Sequence, residues 1–152
     1  MMQPAQPAPP DREPKIRALV IDDDASVGAA IRAILARHGY ATELASRAHA
    51  GMRSLELAPF DVVLVDIFIP GMSGLDTISS IRRKVPALPI VAMTGFPPRP
   101  SQDPAIDFLG LATARGATAC VRKPFTPEQL LGAIAASRSQ GPQQQKAAPP
   151  CP

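Results

Sequence analysis

Val62-Val63-Leu64-Val65-Asp66 is the stretch on which the fold turns. A strand with one wet face alternates apolar and polar residues. This one is apolar throughout and then runs into a carboxylate, the pattern of a strand buried on both faces of a parallel sheet. Ile16–Ile21 and Pro89–Met93 are nearly all apolar and read the same way. Ala41–Ala45 and Thr118–Val121 are further β-rich runs of more mixed character.

Helical patterns lie between these runs. Val27, Ile31, Ile34 and Leu35 recur at helical spacing behind Asp24, a natural N-cap, and Gly39 follows as the residue that ends the helix. Ser73 is placed to cap a helix carrying Leu75, Ile78 and Ile81. Met52 and Leu55 support a helix over Arg47–Leu57. Asp103-Pro104 predicts the start of a fourth helix, with proline at its first position. Thr126-Pro127-Glu128-Gln129 is a capping box before Leu130, Leu131 and Ile134. Strand and helix alternate five times, which predicts an α/β fold: a doubly wound, five-stranded parallel sheet with helices on both faces, (βα)5.

The ends of the chain differ from its middle. Of 152 residues 19 are proline, and many fall in the first 14 positions or after residue 138. Neither end shows apolar periodicity. We therefore expect disordered tails over 1–14 and 139–152 around one domain at 15–138. The net charge of +3 comes from scattered basic residues. The run Arg82-Arg83-Lys84 sits where cations favour a helix C-terminus, so direct nucleic-acid binding by this domain is not expected. No apolar stretch is long enough to enter a membrane as a spanning helix, and no leader pattern precedes the first strand. Cys120 and Cys151 make no disulfide framework, and a cytoplasmic, reducing setting is expected.

In a parallel sheet the functional crevice lies at the carboxyl ends of the strands. Polar groups of this chain gather there. Asp22, Asp23 and Asp24 follow the first strand, Asp66 the third, Thr94 the fourth and Lys123 the fifth. Taken singly, each has an ordinary explanation: Asp24 as a helix cap, Thr94 as a turn residue, Lys123 as a surface cation. Converging, the carboxylates need a proton or a cation between them. An all-oxygen donor set suits Mg²⁺ (or Mn²⁺). A carboxylate beside such an ion can attack a phosphoryl group, with Lys123 and Thr94 meeting the spread charge of the transferred group.

The stretches Ala18–Asp24, Val63–Gly74, Met93-Thr94-Gly95 and Val121–Phe125 together resemble the receiver domains of response regulators in two-component signalling, the CheY-like branch of flavodoxin-like folds. The resemblance covers residues 15–137. It implies that Asp66 is the phosphorylated aspartate and that Asp22, Asp23, Asp66 and the backbone carbonyl of Phe68 hold the metal. It implies too that Thr94 and Lys123 stabilise the phosphoryl group, and that the bond before Pro124 is cis. The implied partners are a histidine kinase or histidine phosphotransfer protein upstream and a target protein downstream. The domain would act as a phosphoprotein catalysing only its own modification. As no output module is read after Arg138, a single-domain regulator is expected.

The chain departs from the family in three places. Cys120 stands where an aromatic switch residue is usual in the fifth strand. Phe96–Pro100 lengthens the loop after Thr94. Phe68 is apolar where a polar residue helps to place water, so slow loss of the phosphoryl group is expected. The competing reading is a metal-dependent phosphohydrolase with an aspartyl-phosphate intermediate. It would want an acid two residues after Asp66, and that residue is Phe68.

Overall fold

A computed structural model describes residues 15–68, 73–95 and 107–139. The described elements alternate as β1 (Ile16–Ile21), α1 (Ala25–Ala36), β2 (Tyr40–Ala45), α2 (Ala48–Leu57), β3 (Val62–Asp66), α3 (Gly74–Lys84), β4 (Ile90–Gly95), α4 (Phe108–Arg115), β5 (Ala119–Lys123) and α5 (Pro127–Ser139). One sheet holds all five strands in the order β2-β1-β3-β4-β5, and every pairing is parallel. The chain winds outward from β1 to one edge and returns through β3 to the other.

The apolar run that suggested this sheet lies at its centre. Val62, Val63, Leu64 and Val65 are wholly buried, because side chains alternate between two covered faces. Val63 and Val65 join Leu19, Ile21, Ile78, Ile81, Leu109 and Ala112 under α2, α3 and α4. Val62 and Leu64 join Ile31, Leu35, Leu130 and Ile134 under α1 and α5.

The helix starts follow their expected caps. Asp24 accepts from the amides of Ser26 and Val27. Ser73 accepts from that of Leu75 at 3.2 Å. Thr126 and Gln129 bond reciprocally at 2.9 and 3.1 Å, both halves of a capping box. Helix α4 is tied down at its end. Arg82 donates from Nε and Nη2 to the carbonyl of Gly116 at 3.2 and 2.6 Å, and Arg115 pairs with Asp76 at 3.1 Å.

Several boundaries differ from the sequence reading. β4 runs on through Thr94 and Gly95, and β5 through Arg122 and Lys123, because Thr94 pairs with Arg122 and Gly95 with Lys123. Helix α4 is described from Phe108, capped by Asp107; the expected start at Asp103-Pro104 lies outside the described residues, as do the Phe96–Pro100 loop and the Ile69–Met72 stretch. Helix α5 includes Ser139, one residue into the stretch assigned to a tail. Residues 1–14 and 140–152 lie outside the described residues. No described helix is long and apolar enough to cross a membrane.

Gly132 offers a simple stability test. It is exposed in the middle of α5, and a Cβ there would meet nothing within 4 Å. Gly132→Ala is expected to stabilise the protein by about 0.5–1 kcal/mol, read as a higher denaturation midpoint at unchanged slope.

Candidate phospho-acceptor site

Asp66 is the last residue of β3, and its neighbour in the register is Met93 of β4. The Ile67 amide still donates to the Met93 carbonyl at 3.0 Å, so the sheet sets the backbone under the carboxylate. On the side chain, Oδ1 accepts from the Phe68 amide at 2.9 Å and Oδ2 from Lys123 Nζ at 3.0 Å. Both oxygens are therefore oriented by groups fixed in the fold.

Asp22 is held in a similar way. Its amide donates to the Ala45 carbonyl at 3.0 Å, extending the β1–β2 pairing by one residue. Its Oδ1 accepts from the Asp24 amide at 2.9 Å, and Oδ2 accepts from Lys123 Nζ at 2.5 Å. Lys123 thus bridges two carboxylates whose side chains are 0% and 6% exposed. Asp23 is exposed on the same turn. Asp24 turns away to cap α1, so its carboxylate is committed elsewhere.

Burial dominates the electrostatics of Asp66. It raises the carboxyl pKa above the ordinary value of 3.8, against the Phe68 amide and Lys123, which favour the anion. For Lys123, burial alone would disfavour the charge. The hydrogen bonds and charges of Asp22 and Asp66 together outweigh it and raise the pKa above the usual 10.5. The site is a strongly polarised carboxylate pair with one cation in place.

Asp22, Asp23 and Asp66 each present an oxygen within 4.8 Å of the other two. This all-carboxylate set, with one exposed member opening to solvent, fits a hard divalent cation that keeps part of its water.

Thr94 is buried near the end of β4, one residue beyond the register partner of Asp66. The Lys123–Pro124 bond is cis. Cys120 is buried in β5, its sulfur 3.7 Å from the Thr113 hydroxyl and 3.9 Å from the Leu109 carbonyl of α4.

Two residues of the site had been given no role from sequence. Gly74 opens α3 directly against the backbone that follows Asp66: a Cβ there would lie 2.2 Å from the Ile67 Cα and 2.4 Å from the Asp66 carbonyl oxygen. Its signal was a glycine just after a capping serine. Phe108 packs its ring against that of Phe68, with centroids 4.8 Å apart and planes at 76°. Nothing local in the sequence marks that contact.

Comparison with known proteins agrees with this architecture. The family model of the response regulator receiver domain matches residues 18–135. The transcriptional regulatory protein DltR of Streptococcus agalactiae serotype III is 31% identical over 119 residues, covering 78% of this chain and 50% of DltR. The DNA-binding response regulator MtrA of Mycobacterium leprae is 33% identical over 121 residues, covering 79% of this chain and 50% of MtrA. The chain thus spans about half the length of the curated relatives it matches. A response regulator receiver domain protein from Clostridium thermocellum superposes with a TM-score of 0.70 at 29% identity, over 81% of this chain and 94% of that one. A CheY-like receiver domain protein from Methanospirillum hungatei gives 0.71 at 26%, over 86% and 96%. The chain belongs to the response regulator receiver domain family.

Proposed function

We propose that this receiver domain accepts a phosphoryl group on Asp66 from a histidine kinase or histidine phosphotransfer protein and signals through contacts with a target protein. The observation that carries the reading is the bridge from Lys123 to both Asp22 and Asp66. It holds a buried carboxylate at the open edge of the sheet with a counter-charge beside it. In the transfer, an Asp66 carboxylate oxygen forms the new P–O bond as the donor's P–N bond breaks, and the bonding pair leaves with the imidazole nitrogen. Lys123 meets the charge on the phosphoryl oxygens, and Thr94 offers a hydroxyl to another of them. Asp22, Asp23, Asp66 and the Phe68 carbonyl would hold Mg²⁺ (or Mn²⁺), which supplies further counter-charge when bound.

The position two residues after Asp66 separates this reading from a phosphohydrolase. Turnover would want an acid there, whereas the Phe68 ring packs on Phe108 and has no proton to give. A stable acyl phosphate is the outcome this favours. Phe68→Asn, which puts a polar side chain beside the acceptor, is expected to shorten the phosphoryl lifetime about tenfold or more, measured as loss of phosphorylated mass with time.

The central test is intact mass after incubation with acetyl phosphate and Mg²⁺. The parent is expected to gain one phosphoryl group, and Asp66→Asn to gain none. A parent protein that stays unmodified would overturn the proposal.

A further inference from the structure

We propose that the Phe68–Phe108 ring pair carries a change at Asp66 to the first turn of α4, with Phe108 a positioning residue acting through Phe68. The inference rests on Asp66 being the acceptor and adds the route by which its state leaves the site.

The path is short and continuous. The Phe68 amide donates to Asp66 Oδ1 at 2.9 Å. On the same residue, three bonds from that nitrogen, the Phe68 ring meets Phe108 edge to face, 4.8 Å between centroids. Phe108 is the first residue of α4. A P–O bond formed at Oδ1 turns that oxygen into a weakly accepting bridge, and one formed at Oδ2 takes charge from Oδ1; in both cases the bond from the Phe68 amide weakens and the amide is released to shift. That shift moves the backbone at residue 68 and turns its ring. Edge-to-face packing is sensitive to angle, because the positive edge of one ring faces the negative face of the other. A turn at Phe68 is therefore felt at Phe108.

Among the described contacts, helix α4 is held most firmly at its far end. Its far end is fixed to α3 by the two Arg82 hydrogen bonds to Gly116 and by the Arg115–Asp76 pair. Its near end rests on Phe68. The helix has only eight residues, so a shift at its first turn is not averaged away along its length. Cys120, small and buried, stands under the middle of α4 beside Thr113 and Leu109. Packed cores move between discrete arrangements rather than deforming smoothly, which makes a ring pair an adequate trigger.

Amide hydrogen exchange over residues 107–115 tests this at matched phosphoryl occupancy, with occupancy read from intact mass. In the parent, phosphorylation is expected to change exchange in the first turn of α4 by about three- to tenfold, while the last turn changes little. Phe108→Leu keeps the apolar volume and loses the edge-to-face contact, so its first-turn response is expected to fall to less than half. Phe108→Tyr keeps the ring and is expected to respond as the parent does. A full response in Phe108→Leu at equal occupancy, or an equal response at both ends of α4 in the parent, overturns the proposal. A parent that takes up no phosphoryl group fails at the mass measurement, which identifies the acceptor assignment as the point of failure.

Discussion

Gly74→Ala is expected to lower stability by about 3 kcal/mol and to remove most phosphoryl uptake with it. The added methyl would lie 2.2 Å from the Ile67 Cα, 2.4 Å from the Asp66 carbonyl oxygen and 2.6 Å from the Ile67 carbonyl carbon. All three are backbone atoms, so no rotamer change can relieve the overlap. Either α3 backs away, breaking the 3.2 Å bond from the Gly74 amide to the Ile67 carbonyl, or the acceptor loop moves. The second response displaces Asp66 from Lys123. Thermal unfolding should show a fall of roughly 10 °C, and intact mass after acetyl phosphate should show little modification. Gly132→Ala, expected to raise the midpoint, is the matched control. An unchanged midpoint in Gly74→Ala would mean that α3 does not hold the loop.

Lys123→Met removes the one cation between two buried carboxylates. Phosphoryl uptake is expected to slow on the order of 100-fold, the usual loss when a fixed counter-charge is taken from a site of charge transfer. Stability near neutral pH is expected to fall on the order of 2 kcal/mol, because Asp22 and Asp66 are left facing each other without compensation. The pH dependence has a definite sign. Burial already raises the Asp66 pKa above 3.8, and Lys123 is one of the groups opposing that rise. In Lys123→Met the folded protein therefore keeps a proton that the unfolded chain releases above 3.8. That contribution to stability is complete below 3.8 and is lost as pH rises through the folded pKa. The variant's deficit should accordingly be largest near neutrality and shrink on acidification, read from urea unfolding at two pH values in metal-free buffer. In the parent, the raised Lys123 pKa adds stability that persists below 10.5 and is lost as pH rises through the folded value.

The parts of this site that could be read from sequence are those fixed by topology. A parallel sheet brings the carboxyl ends of its strands to one edge. Asp22, Asp66 and Lys123 could therefore be placed together from their positions after apolar runs, and the structure brings all three within hydrogen-bonding distance. Caps were legible for a related reason: Asp24, Ser73 and the Thr126–Gln129 box each bond within three residues of themselves. Strand ends were less legible. Polar Thr94 and Arg122 break the apolar pattern, yet pairing with each other keeps both in the sheet. The Phe68–Phe108 contact was not legible at all. It joins two loop-end aromatics across a long stretch of chain, and no periodicity relates them. Gly74 was visible as a residue but not as a constraint, since its requirement comes from the backbone of another element. Cys120 stands out in the sequence as a small residue in the fifth strand, but its place beside Thr113 and Leu109 is set by α4 and could not be read from its position.

The Lys123–Asp22 bridge joins residues 101 positions apart, from one side of β3 and β4 to the other. Contacts of such separation wait on the rest of the chain, because closing a long loop is unfavourable until other pairings hold its ends together. During synthesis β5 is the last of the described strands to emerge. Until it docks beside β4, Asp22 and Asp66 lack their cation. The proposed acceptor site is thus a late product of folding. A growing chain with four strands already paired would display the aspartate without the chemistry, and a kinase meeting it would find a substrate only once the fifth strand was in place.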